Sequence, residues 1–258
     1  MSLEELDQRM RSLEYFRSLR MVPACWPIIR LDGRGFSRMT AERFGKPFDQ
    51  RFRDLMAATA TVLLEELQGI YAYTMSDEIS LLLPRDWALF DRRVEKVVSI
   101  SAGMASATFS QAFGQAVHFD SRIWLGAEIP LVLDYFHWRK AEAANNALHC
   151  WCYWTLRNQG KSAAEATRLL KGLSAADQNE LLFRQGINFN DLPQWQRRGV
   201  GLYWEHFEKQ GIDPRTGETA TASRRRIRAD RELPMKDEYA RMLSRIIATG
   251  SEAEAAQE

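Results

Sequence analysis

The sequence predicts an α+β fold with the ferredoxin-like order of elements (βαββαβ), followed by a mainly helical C-terminal region packed on it. Apolar runs and amphipathic segments alternate over the first 125 residues in the order strand, helix, strand, strand, helix, strand. From about residue 134 aromatic and amide side chains become dense. The 258 residues, 45% of them hydrophobic, suffice for a compact domain with a second unit appended. We therefore expect a first domain over 1–137 and a C-terminal region over 138–258.

The first elements are predicted from hydrophobic periodicity. Residues 3–20 have the pattern of an amphipathic helix that packs on or near the core, and residues 25–31 form an apolar run typical of a strand, with two glycines just beyond it. Residues 49–68 have helical periodicity, with Asp49 as a candidate N-cap.

A hairpin, a second helix and a fourth strand follow. Two β-prone runs, 70–75 and 79–83, are separated by a three-residue turn. Residues 90–112 alternate charged and small apolar residues as a helix does, and residues 116–125 are typical of a strand. In the C-terminal region, residues 162–171 are predicted to be helical.

Composition excludes several classes of protein. The net charge of +1 produces no global positive field, so any polyanion site must come from local clustering. The charged N-terminus does not resemble a signal peptide, and no apolar run approaches the roughly 20 residues of a membrane span. The three cysteines, Cys25, Cys150 and Cys152, lack the spacing of a zinc site or a probable disulfide. We therefore expect a reduced, cytoplasmic protein with no membrane partner.

Acidic residues converge at one edge of the predicted sheet. In this topology the first and third strands are antiparallel neighbours, and the fourth strand lies on the other side of the first. Asp32 ends the first strand, Asp77 and Glu78 lie in the hairpin turn, and Asp120 begins the fourth strand. We therefore expect these carboxylates to lie along one edge of the sheet.

Asp32 and Asp77 are residues of the right type for a magnesium site, with the backbone carbonyl of Gly33 as a further oxygen ligand. Proteins bind Mg²⁺ with one or two carboxylates and let substrate phosphates supply other ligands. Two such ions, about 3.5–4 Å apart, can stabilise both the attacking and the leaving oxygen of a phosphoryl transfer. From spacing alone, the alternative that these acids serve only turn geometry is equally open.

Glycines and cations near the acids indicate a phosphate site. The loop 33–36 (Gly-Arg-Gly-Phe) lets backbone N–H groups approach phosphate oxygens, although a simple strand-ending turn explains the same residues. Arg93 and Lys96 share a face of the predicted helix, for which a solvated helix face is the favoured alternative. The cations available to a triphosphate are Arg30, Arg34, Lys46, Arg93 and Lys96. The basic run Arg224–Arg228 suits phosphate tracking and a solvated segment equally well.

Short motifs run in order through the chain. They are RLDGRGF (30–36), SDEIS (76–80), FDRRVEK (90–96), FDSR (119–122), Trp138-Arg139 followed by Asn145-Asn146, LKG (170–172), NELLF (179–183), NFN (188–190) and RRG (197–199). Through this ordered set, residues 12–206 resemble the tRNA-His guanylyltransferase family, including its guanylyltransferase-like 3′-to-5′ polymerases.

The resemblance implies a palm domain like that of ordinary DNA polymerases and a reaction of reversed polarity on tRNA, at its 5′ end and acceptor stem. The 5′-phosphorylated end is activated by adenylylation, or already carries a triphosphate. The 3′-hydroxyl of an incoming nucleotide attacks it, and AMP or pyrophosphate leaves. ATP and GTP, or other NTPs, are the implied small substrates, and a homotetramer is the implied assembly.

The resemblance also implies roles for individual residues. Asp32, the Gly33 carbonyl and Asp77 would hold two Mg²⁺ ions, and Glu78 joins the two aspartates in the implied catalytic set. Lys46 would help the activation step. The implied nucleotide-binding positions are Gly33, Arg34, Gly35, Phe36, Lys46, Ser76, Arg93, Lys96 and Asn146.

One motif departs from the family pattern. The tRNA-His-specific eukaryotic members carry His-Ile-Asn-Asn after Trp-Arg, whereas this chain has Ala143-Ala144-Asn145-Asn146, without the His and one residue closer to Trp-Arg. The difference argues against strict addition of G−1 to tRNA-His. It favours template-dependent repair of 5′-truncated tRNA.

Two other functions use the same palm. A nucleotide cyclase needs the same metals and no RNA, but the sequence lacks the Gly-Gly-Asp-Glu-Phe hairpin of diguanylate cyclases. An inactive tRNA-binding module would keep the palm for its shape alone. The presence of both aspartates and of Lys96 argues against that alternative.

Overall fold

The computed structural model of the chain describes residues 1–212 and 219–255. Within these residues the strands are β1 (Trp26–Gly33), β2 (Tyr71–Met75), β3 (Glu78–Leu82), β4 (Phe119–Gly126), β5 (Val200–Ile212) and β6 (Thr219–Asp230). The helices are α1 (Leu3–Ser12), α2 (Phe36–Arg43), α3 (Gln50–Glu66), α4 (Val94–Phe113), α5 (Ile129–Asn158), α6 (Ala163–Leu170), α7 (Ala175–Phe183), α8 (Gln194–Arg198) and α9 (Lys236–Ala255). No helix among these residues has the length and apolar character to cross a membrane.

One antiparallel sheet organises the chain, with the strand order β4-β1-β3-β2-β5-β6. The strand β1 pairs with β3 on one side and with β4 on the other, so the predicted neighbours are confirmed. Helices α3 and α4 cover one face, and α5 and α9 cover the other. The structure is a mixed α and β fold with a helical C-terminal region.

Alternate residues of the central strands enter opposite cores, as the pleat of a strand requires. Ala72 and Leu81 join the core beneath α3 and α4, whereas Tyr71 and Tyr73 join the core beneath α5 and α9. All four side chains are at most 2% exposed. Burial on both faces makes the strand ends the places where functional side chains can meet a ligand.

The C-terminal region also contributes two strands that the sequence analysis did not predict. The strand β5 adds to the edge of β2, and β6 pairs with β5 and carries the basic run Arg224–Arg228. Most described side chains of β6 are exposed. A strand without a buried face has no apolar alternation, so its sequence lacks the usual period of two.

The N-terminal helix is shorter than predicted. It ends at Ser12 instead of residue 20 and has no buried residue, so the expectation that it packs on or near the core is wrong. Leu13 and Phe16, just beyond it, are 71% and 67% exposed. An amphipathic pattern predicts a helix, but it does not specify the surface that the apolar face contacts.

Two other helix starts are informative. Asp49 is the N-cap of α3, as predicted, and its side chain accepts a hydrogen bond from the Arg51 amide. The helix predicted from residue 90 begins at Val94, because the backbone at Phe90 and Asp91 has φ of 57° and 52°. Arg93 is therefore the N-cap of α4, and its side chain does not extend from the body of that helix.

A tight turn after β1 carries the chain into α2. A Cβ at Gly33 would lie 2.6 Å from the ring of Phe36, so only glycine fits there without moving the ring. That ring is 2% exposed and packs at 5.2 Å from Phe109 and 5.0 Å from Phe119, measured between centroids. Gly35, with φ of 74°, supplies the left-handed step that begins the helix.

We predict that Gly33→Ala lowers the free energy of unfolding by about 1–3 kcal/mol, because the added methyl overpacks a buried ring. The matched control is Gly103→Ala in α4, where a Cβ meets nothing within 4 Å. That substitution should raise the free energy of unfolding by about 0.5–1 kcal/mol, because alanine is the better helix former. Urea denaturation measures both. A Gly33→Ala variant as stable as the wild type would contradict the packing described here.

Candidate active site

Asp32 and Asp77 approach each other through the backbone. Asp32 is the second-last residue of β1, and Asp77 lies in the turn between β2 and β3. The amide of Gly33 donates a hydrogen bond to the carbonyl of Asp77 at 3.0 Å, which joins the strand end to the turn. Both aspartates line one cavity of about 830 Å³. The predicted convergence of these two residues is confirmed.

The turn that carries Asp77 has an unusual backbone. Ser76 has φ of 54°, a left-handed conformation that is uncommon for a residue other than glycine. Ser76 lines the same cavity and hydrogen-bonds Asp77 through its side chain. The strained residue therefore positions a carboxylate next to the cavity.

The two aspartates influence each other electrostatically. Burial raises the pKa of Asp77, and the negative charge of Asp32 raises it further, while the hydrogen bond from Ser76 and the charge of Lys46 lower it. A divalent cation between the carboxylates would relieve the repulsion. In the described residues no cluster of three or more His, Cys, Asp or Glu side chains could hold a metal ion. Two carboxylates alone suit Mg²⁺, which takes its other ligands from substrate and water.

Glu78 lies opposite Asp32 in the β1–β3 register, but its carboxylate forms an ion pair with an arginine. Arg139 of α5 donates to both of its oxygens, from Nε at 2.7 Å and from Nη2 at 2.5 Å. The side chain of Glu78 is 18% exposed and that of Arg139 is 11% exposed. Burial raises the pKa of Glu78, and the Arg139 guanidinium opposes that effect. The ion pair holds the start of β3 against α5.

A stripe of α5 forms one wall of the cavity. Its members follow the i, i+3, i+4, i+7 pattern, so they share one face of the helix. They are Arg139, Ala143, Asn146, Ala147, Cys150, Tyr153, Trp154 and Arg157. Sequence analysis identified only Asn146 of this stripe as a nucleotide-binding position. The helical period was the available signal for the others, but a run this rich in aromatics also suits a core.

Lys46 projects into the cavity from the loop between α2 and α3. Its ammonium donates to the hydroxyl of Thr40 at 2.7 Å and lies 5.8 Å from the ring centroid of Trp154. Burial lowers the pKa of Lys46, while the charge of the Asp77 carboxylate opposes that effect. The structure thus brings a cation and the Asp77 carboxylate into one electrostatic environment.

Two backbone amides of the glycine loop already donate hydrogen bonds to backbone carbonyls. Those of Gly33 and Arg34 donate to the carbonyls of Asp77 and His118, at 3.0 and 2.9 Å. Phe36 and Ser37, in the first turn of α2, line the cavity. Among the described residues, a phosphate contact through backbone amides is left to Gly35 and to the first turn of α2, whose leading N–H groups have no partner within the helix.

Other predicted residues lie outside the described lining of the cavity. Gly33, Arg34 and Gly35 belong to the adjoining turn, and Arg93 and Lys96 lie at the start of α4. Asp120 pairs with Asp32 in the β1–β4 register, but its side chain is 60% exposed and bonds Arg122 at 2.8 Å. The structure therefore brings Asp32, Asp77, Glu78, Phe36, Lys46, Ser76 and Asn146 to one cavity.

Comparisons with known proteins agree on one group. A family model described as tRNAHis guanylyltransferase matches residues 7–127, and one described as Thg1 C terminal domain matches residues 130–247. A probable tRNA(His) guanylyltransferase of Mus musculus is 34% identical over 213 residues, which cover 76% of this chain and 72% of the mouse protein.

Two solved structures cover nearly the whole chain. A bacterial tRNA(HIS) guanylyltransferase (Thg1)-like protein in complex with GTP has a TM-score of 0.74 at 25% identity, over 94% of this chain and 99% of that one. A structure with the same description, in complex with ATP, has a TM-score of 0.75 at the same identity and coverage.

We predict that Arg139→Met lowers the free energy of unfolding by about 1–3 kcal/mol, because it leaves the half-buried carboxylate of Glu78 unpaired. The raised pKa of the unpaired carboxyl means that the variant regains stability as the pH falls through that pKa. The double variant Glu78→Leu/Arg139→Met should recover most of the loss. Urea denaturation at about pH 7 and pH 5 measures these effects.

The matched control is Arg184→Met, which breaks an ion pair with Glu180 whose side chains are 72% and 55% exposed. Exposed pairs of this kind contribute about 0–1 kcal/mol. If Arg139→Met costs no more than this control, the buried pair does not have the structural role assigned to it.

Proposed function

The chain belongs to the tRNA-His guanylyltransferase family, a family of nucleotidyltransferase enzymes, and from this premise we propose that it adds nucleotides to the 5′ end of tRNA in the 3′-to-5′ direction. The observation that carries the proposal is the pair Asp32 and Asp77 on the wall of a cavity of about 830 Å³ that also receives Lys46. The strand order β4-β1-β3-β2, with one carboxylate ending β1 and the other in the β2–β3 turn, supports a ferredoxin-like palm of the polymerase type.

Two magnesium ions, held by Asp32, the Gly33 carbonyl and Asp77, belong to this proposal. All three ligands are hard oxygen donors. Burial is the main cause that raises the pKa of Asp77, and the charge of Asp32 adds to it, so a cation would stabilise both carboxylates in their ionised form. When bound, the ions supply charge neutralisation at the attacking and leaving oxygens of the transfer.

The proposed transfer forms one bond and breaks another at a phosphorus of the activated tRNA end. The 3′-oxygen of the incoming nucleotide bonds to that phosphorus, AMP or pyrophosphate departs, and the hydroxyl proton passes to solvent. Lys46 presents a positive charge to phosphate oxygens in the cavity, and the first turn of α2 presents backbone amides. The bacterial relatives in complex with GTP and with ATP support both nucleotides as ligands.

Further phosphate contacts are proposed outside the cavity lining. Arg34 and Gly35 lie in the turn next to Asp32, and Arg93 and Lys96 lie at the start of α4. The basic run Arg224–Arg228 of β6 is exposed apart from the half-buried Ile227, and it is proposed as part of the tRNA surface. A chain of net charge +1 needs such local clusters to bind a polyanion.

A homotetramer is proposed from the family resemblance. The support in this chain is the exposed apolar surface of α1 and the segment after it, which a second copy would cover. Its members are Leu3, Leu6, Met10, Leu13, Phe16 and Leu19. A native mass near that of a single 29.8 kDa chain would contradict the assembly. The free cysteines Cys25, Cys150 and Cys152 support a reducing, cytoplasmic compartment.

Templated repair of 5′-truncated tRNA is proposed as the main activity, in preference to strict addition of G−1 to tRNA-His. The chain lacks the His of the His-Ile-Asn-Asn motif, and Asn146 lies on the cavity wall. A site that relies on base pairing with the opposite tRNA strand does not need side chains that recognise one particular tRNA.

A nucleotide-addition assay tests the proposal with Mg²⁺, ATP and the four NTPs. Its substrates are full-length tRNA-His and 5′-truncated tRNAs with each base at the opposing template position. Addition that follows the template base is the expected result. Addition to tRNA-His alone, without regard to pairing, would contradict templated repair.

In the same assay we predict that Asp32→Ala and Asp77→Ala each abolish addition while the far-UV circular dichroism stays unchanged, because each removes a proposed metal ligand. The matched control is Asp86→Ala, since Asp86 is exposed and follows the opposite end of β3. That control should keep wild-type activity. Wild-type rates for both active-site variants would show the metal assignment to be wrong.

A further inference from the structure

Arg157 is a cation of the cavity wall that has no partner among the described residues. It lies in the last turn of α5, lines the cavity and is half-buried. Its Nε nitrogen is buried, and the described residues provide the guanidinium with neither a hydrogen bond nor an ion pair. The two Nη nitrogens also lack partners and are not among the buried polar atoms, so they are accessible to a ligand.

The position of Arg157 at a helix end does not account for this state. The negative end of the helix dipole favours a cation in the last turn, but an exposed side chain would serve that purpose equally well. Removing part of a guanidinium from water without a hydrogen bond or a counter-charge costs free energy. The unpartnered charge therefore requires another explanation.

The other two arginines of the described cavity lining have partners inside the protein. Arg139 donates to both carboxylate oxygens of Glu78. The guanidinium of Arg53 lies 2.8 Å from the carboxylate of Asp54. Arg157 differs from both because no described carboxylate pairs with it. Its counter-charge is therefore expected from a ligand.

This charge lies at the far end of the cavity from the two aspartates. Arg139 is the first member of the α5 stripe, and it contacts Glu78, which lies opposite Asp32 in the sheet register. Arg157 is the last member, eighteen residues or five turns later, which is about 27 Å along the helix. Phosphates held at Asp32 and Asp77 lie near the first end, so Arg157 marks a second position for an anion.

A basic groove adjoins this end of the cavity. Ala163, the first residue of α6, lines both the cavity and the groove, so the two share a border. We call this surface the α6 groove, and its lining residues, all exposed, are His149, Ala163, Ala164, Thr167, Arg168 and Lys171. This described lining holds two cations and no acid. Glu165 of the same helix lies outside it, and its carboxylate accepts a hydrogen bond from the Ser162 amide.

A polyanion fits this arrangement better than a single nucleotide does. The cations run from Arg157, inside the cavity, to Arg168 and Lys171 outside it. An RNA strand carries a negative charge at every phosphate, and contacts to phosphates hold the strand in position without reading its sequence. A nucleotide bound at the aspartates would not extend to the groove.

We propose that Arg157 binds a backbone phosphate of the tRNA and that the α6 groove, through Arg168 and Lys171, carries the strand out of the cavity. The inference rests on the proposed function in taking tRNA as the polyanion that enters the cavity. It explains why a half-buried guanidinium has no partner in the protein: the partner is a phosphate of the RNA.

The test compares Arg157→Met, which removes the charge, with Arg157→Lys, which keeps it. The matched control is Arg245→Met, since Arg245 is exposed on α9 and lies outside the described lining of both the cavity and the groove. Fluorescence anisotropy measures the Kd of a 5′-truncated tRNA at salt concentrations from roughly 50 to 200 mM. Calorimetry measures the Kd of ATP with Mg²⁺, and thermal unfolding measures Tm.

We expect Arg157→Met to weaken tRNA binding about two- to tenfold and to reduce the slope of log K against log salt by about 0.7–0.9, the value of one phosphate contact. Arg157→Lys should keep the slope, because it keeps the charge. The Kd of ATP should not change, and Tm should stay the same or rise, because the guanidinium has no partner to lose in the protein. Arg245→Met should leave all three quantities unchanged.

The groove is tested with the double variant Arg168→Met/Lys171→Met. It should reduce the salt slope by about 1.4–1.8, the value of two phosphate contacts, and leave the Kd of ATP unchanged. A wild-type slope in this double variant would overturn the path proposed along α6.

The results that overturn the inference differ from those that overturn the proposed function. Unchanged tRNA affinity and salt slope in Arg157→Met would overturn the inference, and so would weaker ATP binding, which would identify the nucleotide phosphates as the partner. If the wild type binds tRNA with the expected dependence on Arg157 but adds no nucleotide, the proposed function fails and the inference stands. If the wild type binds no tRNA, both fail.

Discussion

The hydrogen bond from the Gly33 amide to the Asp77 carbonyl is the contact on which the candidate site depends. It joins the end of β1 to the β2–β3 turn, so two carboxylates that are far apart in sequence approach the same cavity. This hydrogen bond requires the chain to turn sharply after Asp32. The turn requires glycine at position 33, because the Phe36 ring lies where a Cβ of residue 33 would be. Core packing and site geometry are therefore determined by the same few residues.

The long helix α5 completes the site from the opposite side. In the first half of the helix, Arg139 neutralises the half-buried carboxylate of Glu78, which would otherwise add a third negative charge beside Asp32 and Asp77. Further along, the same face of the helix lines the cavity with Asn146 and Trp154. The helix thus separates the acids into one that is paired within the protein and two that are left for a ligand. Pairing Glu78 with Arg139 avoids the destabilisation that an uncompensated buried charge would cause.

Much of this arrangement follows from local sequence signals, and the remainder depends on tertiary contacts. Asp49 and the β2–β3 turn were predictable because caps and tight turns depend on residues close in sequence. The neighbours of β1 followed from the order of elements. Glu78 and Arg139 are 61 residues apart in the sequence, so their pairing has no local signature. The strands β5 and β6 were not predicted because most of their residues outside the core are polar. The exposure of α1 was not predicted because an amphipathic pattern does not specify what its apolar face contacts.

Because α5 is one continuous helix, the number of residues between Trp138-Arg139 and Asn145-Asn146 determines the angle between their side chains about the helix axis. Each residue of an α-helix advances the chain by about 100° and 1.5 Å. Arg139 is anchored to Glu78, and Asn146 follows it by seven residues, or about two turns, so both side chains lie on the face of α5 that lines the cavity. Removing or inserting one residue between them would turn Asn146 by about 100° away from that face. The place of Asn146 in the cavity therefore depends on the phase of one helix as well as on the identity of the residue.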